Sequence, residues 1–195
     1  MMKQTNCFIS LNKFMNSQVS NHINLILNLR DDNIYLEEAQ ILSSKLLECV
    51  NLQVLTLNLS QNKIGYEVFS TVVQALQKCT QINELILDFS ENKIDKQGAQ
   101  IIGFILINYQ NLQILNVDLN FNVINSEGVF HLISYLKQVK NLSSLVLKIC
   151  GNNISELINY NLEYAFNGFQ YLENLEINLG YVYMIKQQIK ILTNI

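Results

Sequence analysis

Residues 52–64 read Leu52-Gln53-Val54-Leu55-Thr56-Leu57-Asn58-Leu59-Ser60-Gln61-Asn62-Lys63-Ile64, and this stretch decides the fold. Leu55, Leu57 and Leu59 alternate with polar residues, the period of a strand that buries one face. Asn62 and Ile64 then mark a turn. The pattern returns thirty residues on, as Ile82, Leu85, Leu87, Phe89, Asn92 and Ile94, and again as Leu112, Leu115, Val117, Leu119, Asn122 and Ile124. A further copy runs Leu142, Leu145, Leu147, Ile149, Asn152 and Ile154. Upstream, Leu25, Leu27, Leu29, Asp32 and Ile34 hold the same columns; downstream, Leu172, Leu175, Ile177 and Leu179 do.

The second half of each unit changes period. Ala39, Leu42, Leu46 and Cys49 stand at i, i+3, i+7 and i+10, as do Phe69, Val72, Leu76 and Cys79. Ala99, Ile102, Leu106 and Tyr109, then Val129, Leu132, Leu136 and Val139, follow suit. Each set is one stripe of an amphipathic helix. A strand plus a helix recurring at fixed period predicts an α/β solenoid.

No unit can fold alone. About seven buried apolar side chains give roughly 10–20 kcal/mol, whereas ordering a backbone of this length costs roughly 30–60 kcal/mol. Stacking must supply the difference, with the strands pairing into one parallel sheet. Strands lie about 4.8 Å apart and helices about 10 Å. The array is therefore expected to bend, with the sheet concave and the helices convex. An amide both donates and accepts, so Asn62, Asn92, Asn122 and Asn152 are expected to form a structural ladder inside the turns.

The motif L-x-x-L-x-L-x-L-x-x-N-x-I followed by a helix, as in Leu52–Ile64, resembles the ribonuclease-inhibitor-like leucine-rich repeats, and the likeness runs from Asn21 to Leu179. The extra apolar residue at Leu59, Phe89 or Leu119 departs from the commonest form and is similar to the long-strand arrays of AT-rich protists. The resemblance implies a right-handed β-α solenoid that binds protein through its concave strands and adjoining loops, with no catalytic residue or cofactor. It divides the chain into a capping helix over 6–20, repeats over 21–180 (about five and a half units) and a degenerate segment over 181–195. The cap rests on Phe8, Leu11, Met15 and Val19, and the last segment on Val182 replacing the turn Asn, with Ile185, Ile189 and Leu192 keeping a helical stripe.

Side chains pointing away from the core form two expected binding columns. One is Ile26, Thr56, Ile86, Asn116, Val146 and Glu176; the other is Asn28, Asn58, Asp88, Asp118, Lys148 and Asn178. Branched residues also suit any strand surface, so the first column is an exposed apolar stripe or simple strand propensity. Adjacent Asp88 and Asp118 repel unless paired, and a partner's Lys or Arg would relieve them; the plainer reading is two solvated carboxylates. Phe121 stands where other units carry Asp31, Gln61, Glu91 and Gly151, and is expected to project from the rim.

Composition narrows the partner. The formal charge is −3, with 13 basic residues scattered along the chain, which leaves no cationic stripe for a phosphate backbone. No apolar run is long enough to span a bilayer, and Met1–Ser20 carries polar residues every few positions where a signal peptide would have its apolar run. Cys7, Cys49, Cys79 and Cys150 lack metal or redox spacing and read as reduced core residues of a cytoplasmic protein. His22 and His131 are far apart, so no metal centre is expected. Gly98 and Gly128, near two helix starts, read as turn residues. Leu29-Arg30-Asp31 and Asp88-Phe89-Ser90 imitate kinase motifs, but the repeat register explains both; Asp118, Asn120 and Asn122 begin like a calcium loop and then lack its Gly and Glu.

The chain thus reads as a non-catalytic interaction module or scaffold for a protein partner. The alternative is a regulatory segment of a larger enzyme, such as a kinase-associated repeat protein; GTPase activation rests on fold analogy alone. The apolar carboxyl terminus is an expected place for self-association.

Overall fold

The computed structural model describes residues 5–18, 22–154, 169, 172–180 and 183–185, the last three through their backbone. Eight strands form one sheet in chain order: β1 (Thr5–Phe8), β2 (Asn24–Asn28), β3 (Val54–Asn58), β4 (Glu84–Asp88), β5 (Ile114–Asp118), β6 (Ser144–Lys148), β7 (Asn174–Asn178) and β8 (Tyr183–Ile185). The first seven run parallel, and β8 is antiparallel to β7. Helices α1 (Leu11–Met15), α2 (Leu36–Leu47), α3 (Tyr66–Leu76), α4 (Lys96–Leu106) and α5 (Ser126–Leu136) lie between successive strands from β1 to β6. The chain is a β-α leucine-rich-repeat solenoid.

Register follows the columns. Leu55 pairs with Leu85, Leu85 with Leu115 and Leu115 with Leu145, so identical columns stack without slip. Leu57, Leu87, Val117 and Leu147 lie beneath them, all fully or almost fully buried. The ladder continues past the strand ends, with Leu59 N–H donating to Asp88 O at 2.8 Å and Leu119 N–H to Lys148 O at 2.7 Å. This gives the extra apolar column, Leu29, Leu59, Phe89, Leu119 and Ile149, its burial. Phe69 and Phe89 meet edge-to-face at 4.8 Å between the strand and helix layers.

The helix stripes close the other side of the core. Ala39, Leu42, Leu46 and Cys49 are fully buried, and Tyr109 ends its stripe by donating its hydroxyl to Leu76 O of the preceding unit. Burial pushes the Cys49 thiol up to about 12 and the Cys79 thiol up to about 11, which keeps both protonated and inert.

Gly98 and Gly128 are not turn residues. Both lie in the first helical turn, where Asp95 caps α4 through Gln97 N–H and Gly98 N–H and Asn125 caps α5 through Gly128 N–H. A Cβ on Gly128 would stand 2.9 Å from Lys96 Cα, and one on Gly103 would stand 3.0 Å from Tyr135 Cβ. Small residues are needed there because α4 and α5 approach closely.

The amino-terminal end also differs from expectation. The segment read as one helix over 6–20 holds, in its described part, most of strand β1 and then α1 of five residues capped by Ser10; Val19 lies outside the described residues. Phe8 pairs with Leu27 and so occupies a core column, but nineteen residues separate them instead of thirty. Its ring packs on Phe14 at 5.5 Å and on His22 at 5.8 Å. The spacing of Phe8, Leu11 and Met15 satisfies a helix, yet an open sheet edge beside β2 favours pairing at Phe8. At the other end Ile185 lies in β8, not in a helix; Ile189, Leu192 and the rest of the carboxyl terminus lie outside the described residues.

Candidate functional site

The sheet presents its second face outward. The column Ile26, Thr56, Ile86, Asn116, Val146 and Glu176 lies here, each residue half-buried and reachable by solvent. The pairs Thr56–Ile86, Ile86–Asn116 and Asn116–Val146 are in register on adjacent strands. A third outward column, one step upstream, escapes the sequence reading: Asn24, Val54, Glu84, Ile114, Ser144 and Asn174. Extending the strand alternation by one position would have found it. Ile114 is 41% exposed.

Taken together, the two columns contain a regularity neither shows alone. Each strand from β2 to β6 presents one large apolar side chain outward: Ile26, Val54, Ile86, Ile114 and Val146. They alternate between the columns and make a zigzag across five strands. Diagonal neighbours of this kind stand about 7–8 Å apart, within reach of one another's side chains.

The other polar column is engaged in turn closure. Asn58 Oδ1 accepts from Ser60 N–H at 2.9 Å and from the Ser60 hydroxyl at 2.7 Å. Asp88 Oδ1 accepts from Ser90 N–H at 3.0 Å and its hydroxyl at 2.7 Å, Asp118 from Asn120 N–H at 3.0 Å, and Asn178 from Gly180 N–H at 2.9 Å. Asn28 makes a longer contact to Arg30 N–H at 3.4 Å. Lys148 has no acceptor to offer. In its unit the turn amide Cys150 N–H donates instead to Asn120 Oδ1 of the preceding unit at 2.6 Å.

Lys148 has another occupation. Its ammonium lies 3.5 Å from Asp118 Oδ2, so the counterion expected from a partner comes from the next strand. Burial is the main cause that raises the Asp118 pKa, and nearby Asp88 adds to it; the Asn120 amide and Lys148 pull the other way. Among the described residues the three outward columns hold four carboxylates, on Glu84, Asp88, Asp118 and Glu176, and one ammonium, on Lys148.

Beneath the turns runs a second amide series. Asn62 Oδ1 accepts from Asp32 N–H and Ile34 N–H at 3.0 Å each, both in the unit before it. Asn92 does the same for Asn62 N–H at 3.0 Å and Ile64 N–H at 2.9 Å; Asn122 serves Ile94 N–H at 2.9 Å and Asn152 serves Ile124 N–H at 3.0 Å. Each side-chain NH2 donates back to strand-end carbonyls, as Asn92 does to Leu59 O, Phe89 O and Ser90 O. Asn62, Asn92 and Asn122 are buried, and their hydrogen-bonding capacity is consumed inside the fold.

The rim above the strands holds Phe121, 59% exposed, and Val123, 47% exposed, at positions where the preceding unit has Glu91 and Lys93. Phe121 has φ of 53°, in the left-handed region that Asp31, Gln61 and Glu91 also occupy in their turns. Its ring lies over Gly151, where any Cβ would come within 2.4 Å of Phe121 Cδ1. Gly151 is therefore required for this pose.

Asp88 and Phe89 of the kinase-like triplet are a turn acceptor and a core residue. Among the described residues no group of three or more His, Cys, Asp and Glu is placed to hold a metal, and no helix is long and apolar enough to cross a membrane.

Among solved structures, one shares the fold over most of its length. The chain is similar to leiomodin-1 actin-binding site 2, with a TM-score of 0.58 and 14% identity over 83% of this chain and 86% of that one. Internalin C2 from Listeria monocytogenes follows with 0.43 and 18% identity over 82% of this chain, and the leucine-rich-repeat ectodomain of the receptor kinase SOBIR1 from Arabidopsis thaliana with 0.35 and 20% over 69%. The chain spans 62% and 60% of the lengths of those two. No protein-family model matches the chain, and no curated protein does.

Proposed function

We propose that this chain is a non-catalytic protein-interaction module of the ribonuclease-inhibitor-like repeat type, docking a partner protein on its open sheet face and the adjoining rim. The observation that carries the reading is the zigzag of Ile26, Val54, Ile86, Ile114 and Val146, which leaves an apolar side chain facing solvent on five successive strands. Branched residues suit any strand surface, but one on every strand, joined by the register and with Ile114 41% exposed, makes a ribbon of the kind found at interaction sites. Phe121 and Val123 extend the surface onto the rim, and aromatic side chains are frequent interface anchors. Four free thiols, two of them buried, suit a reducing cytoplasm.

The test compares proteins retained by the full chain with those retained by two variants. Ile86→Asn with Ile114→Ser places on the open face residue types that Asn116 and Ser144 already hold in the same columns. Gln100→Ala alters the helix layer. Partners lost with the first variant and kept with the second are the expected result; a partner set unchanged by the open-face variant would overturn the reading.

A further inference from the structure

We infer that the occupant of the open face is a basic amphipathic α-helix of a partner protein, laid across the strands along the apolar zigzag. The inference rests on the docking reading above and adds the chemistry of what docks.

Spacing selects the helix. Adjacent strands repeat about every 4.8 Å, so the zigzag presents one apolar side chain at that interval along the stacking direction. A helix repeats its face every 5.4 Å, about one turn per strand. An extended segment repeats its face about every 6.6 Å, two residues of rise, and falls out of step after two strands. The ribbon from Ile26 to Val146 crosses four strand gaps, about 19 Å, which is about thirteen residues of helix.

Charge selects the sign. Asp88 and Asp118 border the ribbon on the side of the strand ends, and Glu84 borders it on the other. Lys148 is already held by Asp118 at 3.5 Å, and Asp88 makes its described hydrogen bonds to Ser90. The open face carries an excess of three negative charges, as large as the formal net charge of the entire chain. A helix with an apolar stripe flanked by Lys or Arg matches both borders, and an acidic helix would be repelled by them.

The experiment measures binding of labelled synthetic peptides to the full chain by fluorescence anisotropy. Four probes of about four helical turns suffice: a Leu/Lys helix, its Leu/Glu twin, a Leu/Lys helix broken by central proline, and a Leu/Lys peptide of alternating pattern. The Leu/Lys helix is expected to bind about tenfold or more tighter than each of the others. Ile86→Asn with Ile114→Ser should weaken it by at least about tenfold. Asp88→Asn with Asp118→Asn, which keeps the turn acceptor that Asn58 and Asn178 use, should weaken it and flatten its salt dependence.

Equal binding of the acidic, proline-broken or alternating probe overturns the inference, as does a Leu/Lys affinity that both variants leave unchanged. If such a probe binds and Ile86→Asn with Ile114→Ser still weakens it, the helix is wrong while the docking face stands. If neither this variant nor any probe affects retention of the chain's cellular partners, the docking reading fails with it.

Discussion

Two polar series thirty residues in period run side by side through the turns, and they have opposite consequences. The inner series, Asn62, Asn92, Asn122 and Asn152, bonds between units, reaching amides 28 to 30 residues away. The outer series, Asn28, Asn58, Asp88, Asp118 and Asn178, bonds within a unit, to the amide two residues on. Both look alike as sequence columns. The inner is what couples one repeat to the next, and its buried members are all Asn because each side chain must donate and accept there; Asp32 holds the column only at the half-buried first unit, where it accepts from Leu11 N–H at 3.3 Å. The outer needs only an acceptor, so Asp and Asn interchange, and it tolerates Lys148 where a neighbour supplies the bond.

The sharpest way to break the comparison is to remove one member of the inner series. Asn92→Ala leaves the Asn62 and Ile64 amides without their acceptor inside the core, while the Leu59 and Phe89 carbonyls keep the Nδ2 groups of Asn62 and Asn122 as donors. Each buried amide so stranded costs about 1–3 kcal/mol, and urea unfolding should show a loss of at least about 2 kcal/mol. A loss under about 1 kcal/mol would mean the ladder is not what joins the units.

The exception at Lys148 permits a finer test. Asn120→Ser deprives Cys150 N–H of its acceptor and should cost about 1 kcal/mol. In a Lys148→Asn background the turn regains its own acceptor, and the same substitution should cost close to nothing. Additive effects in this double-mutant cycle would refute the compensation.

The smallest effect concerns charge. Asp118 has its pKa raised, chiefly by burial, so the folded state holds its proton more tightly than the unfolded chain does. Such a group favours folding below the carboxylate range and loses that contribution as pH rises through its folded value. Asp118→Asn should therefore stabilise the protein at pH 7 by a fraction of a kcal/mol, the charge being half-exposed and screened. The advantage should vanish on titration to about pH 3. Paired urea titrations at the two pH values check the sign.

The buried half of the fold was legible because burial imposes one chemistry on a column. Leu55, Leu85, Leu115 and Leu145 must all be apolar, so thirty-residue periodicity shows itself. The outward column Asn24, Val54, Glu84, Ile114, Ser144 and Asn174 shares no chemistry, because solvent imposes none, and it went unread. The zigzag was hidden for the same reason: each column alone is mixed, and only the register joins Val54 to Ile86 and Ile114. At the amino terminus, Phe8 is displaced by eleven residues from the thirty-residue frame, so no column could claim it. The column from Asn28 to Asn178 read as binding surface because exposure and polarity are common to a ligand contact and a turn acceptor; only the geometry of Ser60 and Ser90 separates them.

The inner amide series also has a direction. The NH2 of each asparagine holds carbonyls of its own unit as well, but its Oδ1 serves turn amides of the unit before it, so the turn amides of each repeat are satisfied by its successor. On the ribosome, where the chain emerges amino terminus first, a unit whose strand and helix are already outside still carries open turn amides until the next thirty residues follow. Synthesis and consolidation therefore run one repeat out of phase, and the growing end of the nascent array is always the unsealed one.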